Sequence, residues 1–140
     1  MGRGGSMEIV PHVRIGRVRL GMSQEEAEWL REPGMQTDWR GAPPVVAFIQ
    51  VSKRVCAAYR GVDVFEVPAT EVVAEIVRLE ELNPDDYPPG RHQYLFPALN
   101  FALWRGYVND DNPDDHQGYY FQAASIHVPG YYTGNSAQST

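Results

Sequence analysis

The sequence is short of cysteine, of basic charge and of long apolar runs, and each shortage narrows the field. Of its 140 residues only Cys56 is a cysteine, so no intrachain disulfide can form. That suits a reducing compartment and predicts a cytoplasmic protein. Twelve Lys and Arg stand against eighteen Asp and Glu, a net charge of −6. The basic residues are scattered, whereas a phosphate backbone requires them clustered, so nucleic acid is not the expected partner. A basic protein suits this balance better, because complementary charge speeds encounter. No apolar run approaches the roughly 20 residues of a membrane helix, so no membrane association is expected. The start of the chain also lacks the apolar segment of a signal peptide. Residues 1–7 read as a leader or cloning scar, and the small, polar residues 133–140 as a disordered tail. Enzyme motifs are missing too: there is no Walker loop, HExxH, GxSxG or CxxC. The glycines of "GRGG" follow no strand, so they do not form a dinucleotide loop. No cofactor and no catalytic residue is expected.

What is present is an ordinary globular composition, 43% hydrophobic and 21% charged, enough for one domain over residues 8–132. The chain resembles itself. Shifted by 47 residues, "IGRVRLGMSQEEAEWLR" (15–31) falls on "VDVFEVPATEVVAEIVR" (62–78). Shifted by 45, "YRGV" (59–62) falls on "WRGY" (104–107). A loop insertion of two residues accounts for the change of offset, and the expected halves are residues 13–60 and 61–106.

Each half reads strand, helix, strand, strand. In the first, "HVRIGRVRL" is extended. "GMSQEEAEWLREPG" is a helix, with Ser23 and Glu26 spaced as a capping box and Pro33-Gly34 as its stop. "PPVVAFIQV" and "RVCAAYR" then read as a hairpin turning at Ser52-Lys53. In the second half, "VDVFEV" is a strand. "PATEVVAEIVRLEEL" is a helix with Pro68 near its start and a stripe of Val72, Val73, Ile76, Val77 and Leu79. "QYLF" and "LNFALWR" pair around Pro97-Ala98, and a final strand lies within 118–129. The expected fold class is α+β: one antiparallel sheet of about six strands, with two helices on one face. Two short helices leave the other face open.

Alternation assigns the faces. Leu99, Phe101 and Leu103 belong to the core; Asn100, Ala102 and Trp104 face outward. The repeat places Tyr59 where Trp104 lies, and Tyr107, Tyr119 and Tyr120 fall at neighbouring strand ends. Such aromatics either pack across strands or form an interaction surface, since Trp and Tyr are frequent binding anchors. The stretch "YVNDDNPDDHQGYY" (107–120) is rich in turn formers and reads as a solvated loop. Its Pro113 and lack of a closing glutamate do not fit a calcium loop, and His116 alone does not make a zinc site. No metal is expected.

One helix entry carries a family resemblance. In "LGMSQEEAEWLREP" (20–33), Gly21, Met22, Ser23, Glu26, Leu30 and Pro33 match a "G-M-[ST]-x-x-[EQ]" start followed by "L-G-x-P". The segment resembles the small β-barrel-assembly lipoproteins, and the two-fold arrangement is similar to that of β-lactamase-inhibitory proteins. Arg31 stands where that family has glycine, and no lipobox or disulfide pair accompanies the motif. "YLFPALNFALWR … VPGYY" resembles small bacterial proteins of the immunity type. These resemblances imply helices packed on one face of a sheet whose other face grips a protein.

The sequence therefore points to a non-enzymatic binding module for a basic protein, an inhibitor or immunity protein. Its anchors would be Tyr59, Trp104, Tyr107 and Tyr120, with Asp110, Asp111, Asp114 and Asp115 as an acidic rim. The alternative is a small-molecule-binding protein or minor enzyme with a pocket near Cys56 and His127. A homodimer through the open face is a third option.

Overall fold

A computed structural model describes residues 7–131. In chain order the elements are β1 (Met7–Val10), β2 (Arg14–Ile15), β3 (Val18–Arg19), α1 (Gln24–Leu30), β4 (Met35–Arg40), β5 (Val45–Ser52), β6 (Ala57–Tyr59) and β7 (Val62–Asp63). There follow α2 (Ala69–Leu79), β8 (Gln93–Phe96), β9 (Phe101–Trp104), α3 (His116–Tyr119) and β10 (Ala123–His127). The class is α+β, as expected, but the strands form two sheets rather than one of about six. The first has the order β3-β2-β1-β6-β7 and the second β4-β5-β10-β9-β8. All pairs of the second sheet are antiparallel. The first is mixed, because β1 runs parallel to β6 with Met7 opposite Ala57.

That parallel pair explains the largest departure from expectation. The sequence reads β5 and β6 as a hairpin turning at Ser52-Lys53. Instead β6 leaves for the other sheet, drawn by β1, whose first residue, Met7, the sequence assigns to the leader. The places beside β5 go to β4 and β10. β4, "MQTDWR", escaped detection because Gln36 and Asp38 interrupt it and aspartate is a poor strand former. The expected tail at 133–140 and the remaining leader residues, 1–6, lie outside the described residues.

The helices follow their local signals. Ser23 Oγ accepts the Glu26 backbone N–H at 3.2 Å, capping α1. On α2 the apolar stripe is buried at Ala69, Val72, Val73 and Ile76, while Glu71 and Arg78 lie in water. Helix α1 packs on β3 and β5, and α2 on β7. One core joins both sheets and both helices. Across it the Tyr59 ring of β6 stacks on Phe101 of β9, with centroids 5.3 Å apart. "NPDD" makes the same turn twice: Asn83 Oδ1 accepts from Asp85 N, and Asn112 Oδ1 from Asp114 N, each at 3.0 Å.

The order short strand, helix, hairpin occurs twice, as β3-α1-β4-β5 and β7-α2-β8-β9, with β10 between the two hairpins. The residue matching does not follow it. Trp29 is 83% exposed where its match, Ile76, is fully buried. Tyr59 and Trp104 lie in different sheets.

Candidate binding face

The second sheet turns one face to the core and leaves the other open. Inward go Ile49 and Val51 of β5, Phe101 and Leu103 of β9, and Ala124 and Ile126 of β10. The outward residues line up in rows across the strands. One row is Ser52, Ala123, Trp104 and Gln93; the next is Gln36, Gln50, Ser125, Ala102 and Leu95; a third begins Asp38, Phe48 and His127. The middle of this face sinks into a depression of about 340 Å³. Ala102, Ala123 and Ser125 form its floor, and Phe48, Gln50, Gln93 and Trp104 its walls. Small residues on the floor and large ones at the edge make the surface concave. Trp104 remains 44% exposed and Leu95 49%. The expected inward Phe101 and Leu103 and outward Ala102 and Trp104 are therefore found as alternation requires, whereas Leu99 sits half-buried in the turn between β8 and β9.

Each end of the face is built up by a loop. At the Phe48 end, Tyr131 stacks on Phe48 with centroids 5.3 Å apart and donates its hydroxyl to Asp38 Oδ2 at 2.5 Å. That bond, followed by the Trp39 backbone N–H, holds the Asp38 carboxyl below its usual range. Arg40 lies over the Tyr131 ring at 4.5 Å and donates to the Tyr131 carbonyl at 2.6 Å.

At the other end, the acidic segment leaves β9 after Trp104 and returns at Ala123, the residue paired with Trp104. Arg105, fully buried, holds this loop. Its guanidinium donates to Asp110 Oδ1 at 2.6 Å, to the Gly118 carbonyl at 2.7 Å and twice to the Arg91 carbonyl, at 3.0 and 3.1 Å. Asp110 is thus engaged in an ion pair rather than standing free at the rim. Asp115 caps α3 and accepts from Tyr107 Oη at 2.7 Å and Asn109 Nδ2 at 3.0 Å. Asn109 first, then Tyr107, keeps the Asp115 carboxyl below its usual range, and Asp115 in turn pushes the Tyr107 phenol up. Asp111 and Asp114 are exposed, and no ion pair among the described residues involves them.

The remaining sequence candidates separate. Tyr107 is 48% exposed on the loop. Tyr120 is half-buried, stacked with His116 and lying under the Lys53 ammonium at 5.0 Å. Tyr59 is 2% exposed, so its expected place on the open face is corrected. β6 belongs to the other sheet, where its alternation points Tyr59 into the core and its hydroxyl toward Glu80. Phe48, Gln50, Gln93 and Ser125 line the depression without belonging to the sequence candidates. The signal for Phe48, Gln50 and Ser125 lies in the alternation of "FIQVS" and "AASIH" and that for Gln93 in "QYLF", but assigning it needs the neighbours of β5, β10, β9 and β8 to be known.

Cys56 precedes β6, half-buried, with its carbonyl accepting from Met7 N at 2.8 Å. His127 borders a cavity of about 170 Å³ with Phe96, Phe101 and Tyr131. Burial, and then the nearby His12, push its imidazole below the usual value. A third, more apolar slot of about 350 Å³ runs between α2 and residues 84–94, lined by Val73, Val77, Tyr87 and Tyr94. Among the described residues no group of three His, Cys, Asp or Glu is placed to hold a metal ion, and no helix is long and apolar enough to cross a membrane. Comparison with protein-family models, curated proteins and solved structures found no match for this chain.

Proposed function

We propose that this protein is a non-enzymatic binding module that holds a basic protein partner on the open face of its second sheet, in the manner of an inhibitor or immunity protein. The observation that carries the reading is the depression itself. Alanine is a poor strand former, yet Ala102 and Ala123 stand on the outward side of adjacent strands, next to a half-exposed tryptophan. A sheet under selection for stability alone would fill that space with β-branched or aromatic cross-strand pairs. The exposed Asp111 and Asp114 and the net charge of −6 supply the attraction for a cationic surface. The two hairpins flanking β10, each preceded by a helix, support a duplication of the kind read from the sequence. The helix entry at Gly21–Ser23 supports kinship with the small β-barrel-assembly lipoproteins it resembles.

The test is a photo-crosslinking amino acid placed at Gln50, on the face, or at Ala74, on the exposed side of α2. A discrete heavier product is expected in extracts of the source cells from the Gln50 position only, and it disappears when Trp104→Asp is added. Equal capture from both positions, or capture from Ala74 alone, refutes the reading. Light scattering after size exclusion is expected to show folded monomers for both the wild type and Trp104→Asp. A dimer dissolved by that substitution would make the face a self-association surface.

A further inference from the structure

We propose that the depression takes one uncharged aromatic side chain of the partner, and that the partner's Lys or Arg residues lie beside it, over Asp111 and Asp114, rather than in it. The inference rests on the reading of this face as the partner-binding surface, and names what that surface selects. Among the described residues no charged side chain lines the depression: its polar groups are the amides of Gln50 and Gln93, the hydroxyl of Ser125 and the indole N–H of Trp104. A cation drawn into it would give up water and meet no carboxylate. An aromatic ring gives up little, covers the Ala102 and Ala123 methyls, and can pack against Trp104. The Gln50 and Gln93 amides at the walls and the Ser125 hydroxyl on the floor can receive a phenol or indole hydrogen. A ring with one polar tip matches that lining better than a purely aliphatic chain.

The position of the cations follows from the loop. Asp110 and Asp115 are already occupied by Arg105, Tyr107 and Asn109. Asp111 and Asp114 are the exposed carboxylates left in the same segment, which springs from the strand pair holding Trp104. The nearby cation Lys53 is directed at the His116 carbonyl and the Tyr120 ring. Charge also argues against a second copy as the occupant, because two chains of net charge −6 would bring like charges together.

The experiment is an NMR titration of the full 15N-labelled chain with three short blocked peptides, Gly-Arg-Trp-Arg-Gly, Gly-Asp-Trp-Asp-Gly and Gly-Arg-Ala-Arg-Gly. Saturable shifts at the Trp104 indole N–H and the Ala102 and Ser125 amides are expected with the first peptide. The other two are expected to bind at least tenfold more weakly. Asp111→Asn with Asp114→Asn removes the preference for Arg over Asp flanks and keeps the requirement for Trp. Equal binding of the Arg-Ala-Arg peptide overturns the proposal, and so do saturable shifts confined to the slot between α2 and residues 84–94, or no saturable shift with any peptide. If crosslinking at Gln50 succeeds while the peptides show no aromatic preference, the face binds a protein through a different anchor. If crosslinking fails as well, the face is not the working surface.

Discussion

The Arg105 clasp allows the most searching test of how the acidic loop is held. Arg105→Met keeps most of the buried volume and removes every donor of the guanidinium. Asp110, its ion-pair partner, has a side chain 27% exposed and regains some water; the Arg91 carbonyl loses both its guanidinium bonds, while the Gly118 carbonyl keeps the Asn109 backbone N–H at 2.9 Å. Removing one member of a buried pair costs about 3–5 kcal/mol, and each buried group left unsatisfied about 1–3 kcal/mol. The expected loss for Arg105→Met is therefore about 3–5 kcal/mol. Asp110→Asn keeps an acceptor for a fully buried cation that still has its three carbonyl bonds but loses its counter-charge, so its cost is about 1–3 kcal/mol. Urea unfolding followed by tryptophan fluorescence gives both values, provided the slope is unchanged. Hydrogen exchange at the Asn109 and Gly118 amides, which lie inside the clasped loop, is expected to accelerate in Arg105→Met before global unfolding does. If Arg105→Met costs no more than Asp110→Asn, or less than about 1 kcal/mol, the loop is held by its turns and not by the arginine.

Three further outcomes are expected. Gly118→Ala loosens the same loop by about 1–3 kcal/mol, because a Cβ there would lie 2.6 Å from Tyr107 Cε1 and 2.9 Å from Asn109 Cβ; unchanged exchange at Asn109 would contradict this. Leu103→Ala, at a fully buried site, costs about 2–5 kcal/mol. Trp104→Ala, one residue on, costs less, and the reverse order in urea denaturation would put Trp104 on the core side. Burial first, and then Glu80, push the Tyr59 phenol from its ordinary 10 up to about 12. The folded state thus favours protonated Tyr59. The stability this contributes is complete below pH 10 and is lost as pH rises through about 12. Tyr59→Phe is expected to flatten that fall in denaturation midpoints between pH 10 and 12, and identical curves would refute the coupling.

Local features of the chain were legible because their causes are local. Ser23 caps α1 from three residues before Glu26, Val72 and Ile76 lie one helical turn apart, and the two Asn-Pro-Asp-Asp turns close on their own asparagines. The opposed faces of Leu103 and Trp104 follow from the pleat alone. What escaped was set by distant pairing. Tyr59 and Trp104 look equivalent in "YRG" and "WRG", yet the first pairs beside β1 and the second beside β10, so one ring enters the core and the other meets water. Gln50 and Ser125, 75 residues apart, become opposite one another only when β10 inserts between the hairpins. Asp110 carried no sign of its arginine, since Arg105 reads as the end of a strand until the loop folds back over it.

The place of β10 has a consequence for how the molecule is made. The β4–β5 and β8–β9 hairpins can each close through short connections, but among the described residues no strand pairing links one to the other directly, and β10, from Ala123 to His127, is hydrogen-bonded to both. Until residues 123–127 have left the ribosome, β5 and β9 each present a raw edge, and the β5 edge carries Val45, Val46, Ile49 and Val51. Such edges recruit strands from other chains. A chain truncated before Ala123 is therefore expected to carry its second sheet in two parts, with both inner edges exposed and open to aggregation.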